Sequence, residues 1–101
     1  MKDLTKEINE FRDKRDWRQY HNSKDLALSL SLEASELLEN FQWVSADEGA
    51  KKNYQNIKEE LADVFIYGLM MADDLGIDME EAIREKLVKN GIKYPEKKDL
   101  N

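Results

Sequence analysis

The chain has 101 residues with one proline and four glycines, which favours a single all-α domain over residues 1–101 and argues against a β-sandwich or barrel. It contains no cysteine, which excludes disulfides, thiolate zinc sites and cysteine nucleophiles. Its 22 acidic and 16 basic residues give a net charge of -6, which opposes binding to nucleic-acid polymers and anionic membranes, so a small anionic substrate would arrive with cations.

The N-terminus and the hydrophobic content indicate a soluble, cytoplasmic protein that associates with itself. The first residues, MKDLTKEINEF, carry charges where a signal peptide is apolar, and no run approaches the roughly 18 apolar residues that span a bilayer. A domain of this size buries only about two thirds of its unfolded surface. Because the hydrophobic share is 41% against 38% charged, we expect further apolar burial between subunits.

The first helix is predicted from apolar residues at helical spacing. Leu4, Ile8 and Phe11 form its stripe, and the helix is expected from about Asp3 to Arg15. The segment RDWRQYHNS, which overlaps the end of this helix, then indicates a loop.

The second helix is predicted to begin with Ser23 as its N-cap. Leucines alternate with serines near its start, as they would in a strand, but the longer helical period outweighs this short segment. Its apolar stripe consists of Leu26, Leu30, Leu37 and Phe41.

The polar segment VSADEGAKKN separates the second helix from a third. Ser45 and Glu48 have the spacing of a capping box, which indicates a new helix start. The third helix is expected from around Lys51 to Leu75, with Gly76 as the C′ residue after it. Its apolar stripe consists of Ile57, Leu61, Val64, Gly68, Met71 and Leu75.

A fourth helix completes the predicted domain. Asp78 is expected to cap it, Glu81 to complete the capping box, and Gly91 to end it. The segment KYPEKKDLN then indicates an extended or frayed tail.

Two pairs of acidic residues lie on the apolar sides of the second and third helices. Glu33 falls within the second stripe with Glu36 at its edge, and Glu60 and Asp63 repeat the same spacing on the third helix. A carboxylate in an apolar stripe needs a cationic partner or a metal, and an all-oxygen ligand set favours Mg²⁺, with Mn²⁺ as a substitute, over zinc or copper. The alternative is that all four are solvated helix faces or salt-bridge partners.

A di-iron centre of the ferritin type is not expected. Such a site needs Glu-x-x-His pairs, and the only histidine, His21, lies outside both acidic pairs. Glu39 and Glu59 are expected to be exposed or to support the ligands from outside.

Four segments in unbroken order carry a family resemblance: RDWRQYH, SLEASELLENFQW, EELADVFIYGLMMADDLGID and KLVKNGIKYP. Together they resemble the MazG-like family of all-α nucleotide pyrophosphohydrolases, and within it the small dCTP pyrophosphatase branch. The family signature, E-x-x-E followed by E-x-x-D, is met with 23 residues between the pairs. The resemblance implies Mg²⁺-dependent hydrolysis of a nucleoside triphosphate, dCTP or a related deoxynucleotide, to the monophosphate and pyrophosphate.

The resemblance also implies residue roles. The metal-binding and catalytic residues would be the four carboxylates, with Glu36 as our choice of general base although the sequence leaves this assignment open. Lys86, Asn90 and Tyr94 match a K-x-x-x-N-x-x-x-Y pattern that would contact phosphates and sugar, and Lys93 would add a cation. The alternative is a basic helix end that complements the helix dipole.

Aromatic residues are implied on the base side of the site. Trp17 and Trp43 match the patterns RDW and FQW, whose rings embrace the base in the branch, with His21 near the first of them. Tryptophan is more often packed in the core than placed in a binding site, so core packing stays open as the alternative for both residues. For Tyr67, one turn after Asp63, substrate contact and core packing are equally expected.

The sequence therefore predicts a four-helix MazG-like protomer that forms a dimer or a dimer of dimers, with sites near subunit interfaces and a role in nucleotide-pool housekeeping. Ile66, Leu69 and Met70 lie away from the third stripe, and we expect a second subunit to cover them. Asp25 and Ile8 depart from the branch and bear on base selectivity. The rival hypothesis is a non-catalytic acidic helical interaction module.

Overall fold

The computed structural model describes residues 1–97, and this part of the chain consists of helices joined by turns and short irregular segments, without a strand. The elements are α1 (Lys2–Lys14), a 3₁₀ turn (Arg18–Tyr20), α2 (Ser23–Glu39), α3 (Ala46–Lys52), α4 (Tyr54–Asp74) and α5 (Met79–Lys93). The all-α class is confirmed, and so is the helix over the alternating leucines and serines. Within the described range no helix is both long and apolar enough to cross a membrane.

The number of helices differs from the prediction. The third helix expected from Lys51 is two helices, because α3 ends at Lys52 and α4 starts at Tyr54, so five α-helices replace four within residues 1–97. Asn53 lies between them and donates its side-chain amide to the Asn40 carbonyl oxygen at 2.7 Å, which ties this corner to the end of α2.

The start of α2 corrects one predicted cap. Asn22, not Ser23, is the N-cap: its side-chain oxygen accepts the Asp25 N–H at 2.8 Å, and Ser23 is the first helical residue. Asparagine and serine cap helices about equally well, so the choice between neighbours depends on which one has extended backbone, and Asn22 does, at φ -125° and ψ 166°.

The other two predicted caps are confirmed. The Ser45 side chain accepts the Glu48 N–H at 3.2 Å at the start of α3, and the Asp78 side chain accepts the Glu81 N–H at 3.1 Å at the start of α5. Both side chains satisfy N–H groups that have no partner within the first helical turn.

Of the two glycines predicted to mark helix ends, one is confirmed. Gly76 follows the C-cap of α4 with φ +69°, a left-handed conformation that glycine adopts without a steric penalty. Gly91 does not end α5, which continues to Lys93, and the Tyr94 N–H still bonds to the Asn90 carbonyl at 2.7 Å. Residues 94–97 are non-helical as expected, and 98–101 of the predicted tail lie outside the described residues.

An antiparallel pair of helices, α2 and α4, forms the centre of the fold. Leu30 lies beside Gly68, and ten residues later Asn40 accepts the side-chain amide of Asn56 at 2.7 Å, so the two helices run in opposite directions. Gly68 has no side chain, so Leu30 of α2 can lie close to the backbone of α4 at this position. The pair therefore brings the middle of α2 opposite the first half of α4.

The core lies towards the other end of this pair. It is formed by Ile8 of α1, Leu26 of α2, and Leu69 and Met70 of α4, with Ile66 packed against it. The expectation that a second subunit covers Leu69 and Met70 is wrong, because both are buried within the chain in a cluster with Ile8 of α1 and Leu26 of α2. Ile66 is only half-buried, so its cover by a second subunit stays a prediction.

The predicted stripes are only partly buried. Leu4 and Phe11 of α1 and Leu61 and Leu75 of α4 are exposed, whereas Arg12, one turn after Ile8, is fully buried. The buried side of α1 is thus rotated away from Phe11, because Arg12 makes ion-pair contacts with α4 that a hydrophobic stripe does not predict.

The single chain is extended and leaves much apolar surface uncovered. Its radius of gyration is 17.3 Å, compared with about 13 Å for a compact domain of 100 residues. No residue of α5 is buried, and its Leu87, Val88 and Ile92 are 63%, 66% and 80% exposed. In the part of the chain that the structure describes, no other element packs over these three side chains.

Candidate metal centre

Three of the four predicted carboxylates converge where α2 faces α4. Glu33 and Glu36 lie one turn apart on α2, and Glu60 lies opposite them on α4. Each offers an oxygen atom, and these three atoms lie within 4.8 Å of one another. Asp63 is half-buried one turn further along α4, outside this group.

Two oxygens of the cluster have no hydrogen-bond partner within residues 1–97. Oε2 of Glu33 and Oε2 of Glu60 are buried and accept no hydrogen bond. The ion pairs among residues 1–97 involve Arg12, Arg18 and Arg84, and none reaches these carboxylates. Because an ionised carboxylate is costly to bury without a cation, this donor set fits a hard divalent ion such as Mg²⁺ or Mn²⁺.

Proton affinities in the cluster reflect the same burial. Burial, and after it the neighbouring carboxyl groups of Glu36 and Glu60, together raise the pKa of Glu33 from 4.5 to about 7. Burial also raises the pKa of Glu60. The pKa of Tyr67 is raised by burial and then by the charges of Glu33 and Asp63, so this half-buried phenol lies close to the acidic group.

The raised pKa of Glu33 predicts how the stability of the metal-free protein depends on pH. The folded protein holds a proton on Glu33 that the unfolded chain releases near pH 4.5, so this contribution to stability is complete below pH 4.5 and is lost as the pH rises through about 7. The melting temperature in EDTA should fall over that window. The melting temperature of Glu33→Gln should fall less over the same window. An equal fall in both proteins would show that Glu33 does not cause the pH dependence.

The two tryptophans lie at opposite ends of α2. Trp17 is near the helix start, with its ring 6.5 Å from that of His21, whereas Trp43 follows the helix end. The 17 residues of α2 span about 25 Å, too far for both rings to embrace one base within a single chain. Trp43 is 93% exposed with φ +65°, and Trp17 is 41% exposed, so core packing is wrong for Trp43 and incomplete for Trp17.

The predicted phosphate and sugar residues lie on and after α5. Lys86 and Asn90 are one turn apart, and Lys93 Nζ lies 5.3 Å from the ring centroid of Tyr94, which caps the helix. Within residues 1–97 no hydrogen bond or ion pair connects these four side chains to the carboxylates. The described part of one chain therefore shows no direct polar contact between these residues and the acidic cluster.

A polar junction that the sequence did not predict lies near Trp17 and His21. Arg12, fully buried, binds the Asp74 carboxylate through Nη1 at 3.1 Å and Nη2 at 2.5 Å. Arg12 is one turn after Ile8, and a cation at that position signals a buried acidic partner. Nothing in the sequence says which of the 22 acidic residues it is.

The chain is similar to proteins of one family. A model of the MazG-like family matches residues 28–101. A solved pyrophosphatase structure from Archaeoglobus fulgidus superposes with a TM-score of 0.90 at 44% identity, over 95% of this chain and 93% of that one.

Mammalian relatives extend this similarity. dCTP pyrophosphatase 1 is 35% identical in Rattus norvegicus and 33% in Homo sapiens, over 100 aligned residues and 94% of this chain. The chain spans 59% of the length of these relatives.

Proposed function

The chain belongs to the MazG-like family, and from this premise we propose that it is a Mg²⁺-dependent nucleoside triphosphate pyrophosphohydrolase acting as one domain in nucleotide-pool housekeeping. The observation that carries the proposal is the cluster of Glu33, Glu36 and Glu60, with two buried oxygens that lack partners. The preferred substrate is dCTP or a related deoxynucleotide, as the similarity to mammalian dCTP pyrophosphatase 1 suggests.

Each carboxylate has a distinct place in the proposed mechanism. Glu33 and Glu60, with the buried unpaired oxygens, hold the cation together with Glu36, and Asp63 supports them from the next turn of α4. When bound, Mg²⁺ supplies neutralisation of the phosphate charge. Mn²⁺ fits the same oxygen ligands.

Glu36 is the exposed member of the cluster and serves as the general base. It takes a proton from a water molecule whose oxygen attacks the α-phosphorus. The bond from that phosphorus to the bridging oxygen of the β-phosphate breaks, and pyrophosphate leaves. One triphosphate and one water thus give one monophosphate and one pyrophosphate, without a covalent intermediate on the protein.

The base pocket is proposed to form between two copies of the chain. Trp17 and His21 of one copy would meet Trp43 of another, because a single chain holds the two rings at opposite ends of α2. The extended shape and the exposed apolar residues of α5 support such an assembly, a dimer or a dimer of dimers. Tyr67, beside the carboxylates, would contact the nucleotide from within the site.

The same assembly would bring the end of α5 to the nucleotide. Lys86 and Asn90, with Lys93 and Tyr94 beyond them, would then hold the phosphates and the sugar. An apolar groove of about 190 Å³ lies between α4 and the start of α5, and its lining includes Phe65 and Ile83. A second copy seated there would cover surface that one chain leaves in water.

Product analysis tests the proposed reaction. With Mg²⁺ or Mn²⁺ the protein should convert dCTP to dCMP and pyrophosphate, and EDTA should abolish the conversion because the carboxylates cannot neutralise the triphosphate themselves. Chromatography identifies the products, and a panel of deoxynucleotides ranks the bases. Orthophosphate and dCDP as primary products would contradict the reaction, and no metal-dependent product would favour the interaction module.

A further inference from the structure

Arg12 is a fully buried cation with no part in the reaction above. Its guanidinium binds both carboxylate oxygens of Asp74, and its Nε donates to Oδ1 of Asn9 at 2.9 Å. Asn9 in turn donates to Oδ2 of Asp73 at 2.8 Å. These contacts hold the end of α1 against the end of α4. The segment with Trp17 and His21 begins at this end of α1.

Arg12 also contacts that segment directly. Its carbonyl oxygen accepts the Trp17 N–H at 2.9 Å, and its Nη1 lies 3.4 Å from Nδ1 of His21. Arg18 adds a second contact to Asp74, at 3.7 Å from Nη1. The chain turns sharply in between, at Asp16 with φ +54°, so the orientation of Trp17 depends on these anchors.

The contact with His21 restricts the imidazole to one tautomer. A guanidinium has donors only, so a hydrogen bond from Arg12 to Nδ1 requires that Nδ1 be without a proton. The proton of the neutral ring then lies on Nε2, and Nε2 makes no hydrogen bond within residues 1–97. His21 is left with one N–H donor to offer.

We propose that Arg12 is a positioning residue for the base side of the nucleotide site. Its side chain joins the end of α1, from which the segment with Trp17 leaves, to Asp74 at the end of α4, and it fixes His21 as a donor towards an acceptor atom on the base, such as a pyrimidine carbonyl oxygen or ring nitrogen. This inference rests on the proposed function. It differs from a purely structural role for Arg12, which would support the fold without affecting base binding.

The test compares Arg12→Lys and Asp74→Asn with the parent protein, and Arg84→Lys serves as the matched control. Arg84 also pairs with a carboxylate, that of Glu80 at 2.8 Å, but both side chains are exposed on α5. Calorimetry with Mg²⁺ measures binding of dCMP, which has the base, and of inorganic tripolyphosphate, which does not. Melting temperatures show that each variant is folded under these conditions.

Arg12→Lys and Asp74→Asn should each weaken dCMP binding by about tenfold, while tripolyphosphate binding changes by less than about twofold. The reason is that only the residues that contact the base lose their orientation. Arg84→Lys should bind both as the parent does. Equal weakening of both ligands, or unchanged dCMP binding, would overturn the proposal. If Arg12→Lys does not fold, the same comparison of dCMP and tripolyphosphate binding is made with Asp74→Asn, which removes the partner of Arg12.

The tautomer of His21 gives a readout that needs no turnover. His21 is the only histidine, so ¹⁵N NMR reports it without ambiguity. The parent should show a proton on Nε2 and none on Nδ1, and Arg12→Lys should show a mixture of tautomers. A proton on Nδ1 in the parent would overturn the proposal. Absence of nucleotide hydrolysis by the parent would refute the proposed function, and dCMP binding and the tautomer would still decide the role of Arg12.

Discussion

Glu33→Gln and Glu60→Gln should each lower turnover by at least about tenfold, equivalent to roughly 1.4 kcal/mol in the barrier, and yet raise the melting temperature of the metal-free protein. Both residues bury an oxygen without a partner, so charge removal relieves a cost in the apo fold. The same change removes a ligand oxygen from the cation. Opposite effects on stability and activity are characteristic of a metal site.

The other two carboxylates should separate these effects. Glu36→Gln and Asp63→Asn should lower turnover by at least about tenfold as well, but they should not raise the melting temperature, because the carboxylate oxygens that are buried without a partner among residues 1–97 belong to Glu33 and Glu60. Glu36→Gln should retain more Mg²⁺ affinity than turnover if Glu36 is the general base.

A matched control lies beside the cluster on α4. Glu59 is next to Glu60 in sequence but exposed, and it accepts a hydrogen bond from the Gln55 side chain at 3.2 Å. Glu59→Gln should keep turnover and stability close to those of the parent. Pyrophosphate release and thermal melting in EDTA and in Mg²⁺ measure the set. Near-normal turnover in all four site variants would show that the acids are solvated helix faces.

Mixing two weakened tryptophan variants should partly restore activity. If each pocket takes Trp17 from one copy and Trp43 from another, Trp17→Ala and Trp43→Ala homodimers each lack one ring in both pockets. A heterodimer of the two has one pocket without either ring and one pocket that is complete. Random reassociation makes half of the dimers mixed, so about a quarter of all pockets are complete and activity should recover to at least about a quarter of the parent value under subsaturating dCTP.

The assay combines both variants under conditions that exchange subunits, and kcat/KM for dCTP is compared with that of each variant alone. Loss of base stacking, roughly 1–3 kcal/mol by analogy with single-stranded nucleic acids, should lower kcat/KM of each variant by about 5- to 100-fold. Trp17→Ala mixed with a second preparation of itself is the control. Light scattering establishes that dimers or tetramers are present.

No recovery on mixing, with subunit exchange demonstrated, would mean that the two rings do not share a pocket. A strictly monomeric and fully active parent would contradict the assembly itself. Phe65→Asp gives an independent test, because Phe65 is 56% exposed and lines the apolar groove between α4 and α5. The charge should dissociate the assembly and lower activity, while Phe65→Leu should retain both.

Local features of the sequence determined the caps and the acidic pairs. Ser45 with Glu48 and Asp78 with Glu81 are three residues apart, and one helical turn is enough to form each cap. Gly76 adopts its positive φ for an equally local reason. Glu33 was predicted within the apolar stripe because helical periodicity alone assigns a residue to a face.

Only the tertiary structure decided what covers each face and what meets across the chain. Leu69 and Met70 are buried against Ile8 of α1 and Leu26 of α2, which no periodicity within α4 could show. Arg12 and Asp74 are 62 residues apart, and nothing in the pattern around either one names the other. Trp17 and Trp43 match adjacent motifs, yet the length of α2 separates them. Helical periodicity assigns residues to faces, whereas the partner of each face depends on how the helices pack.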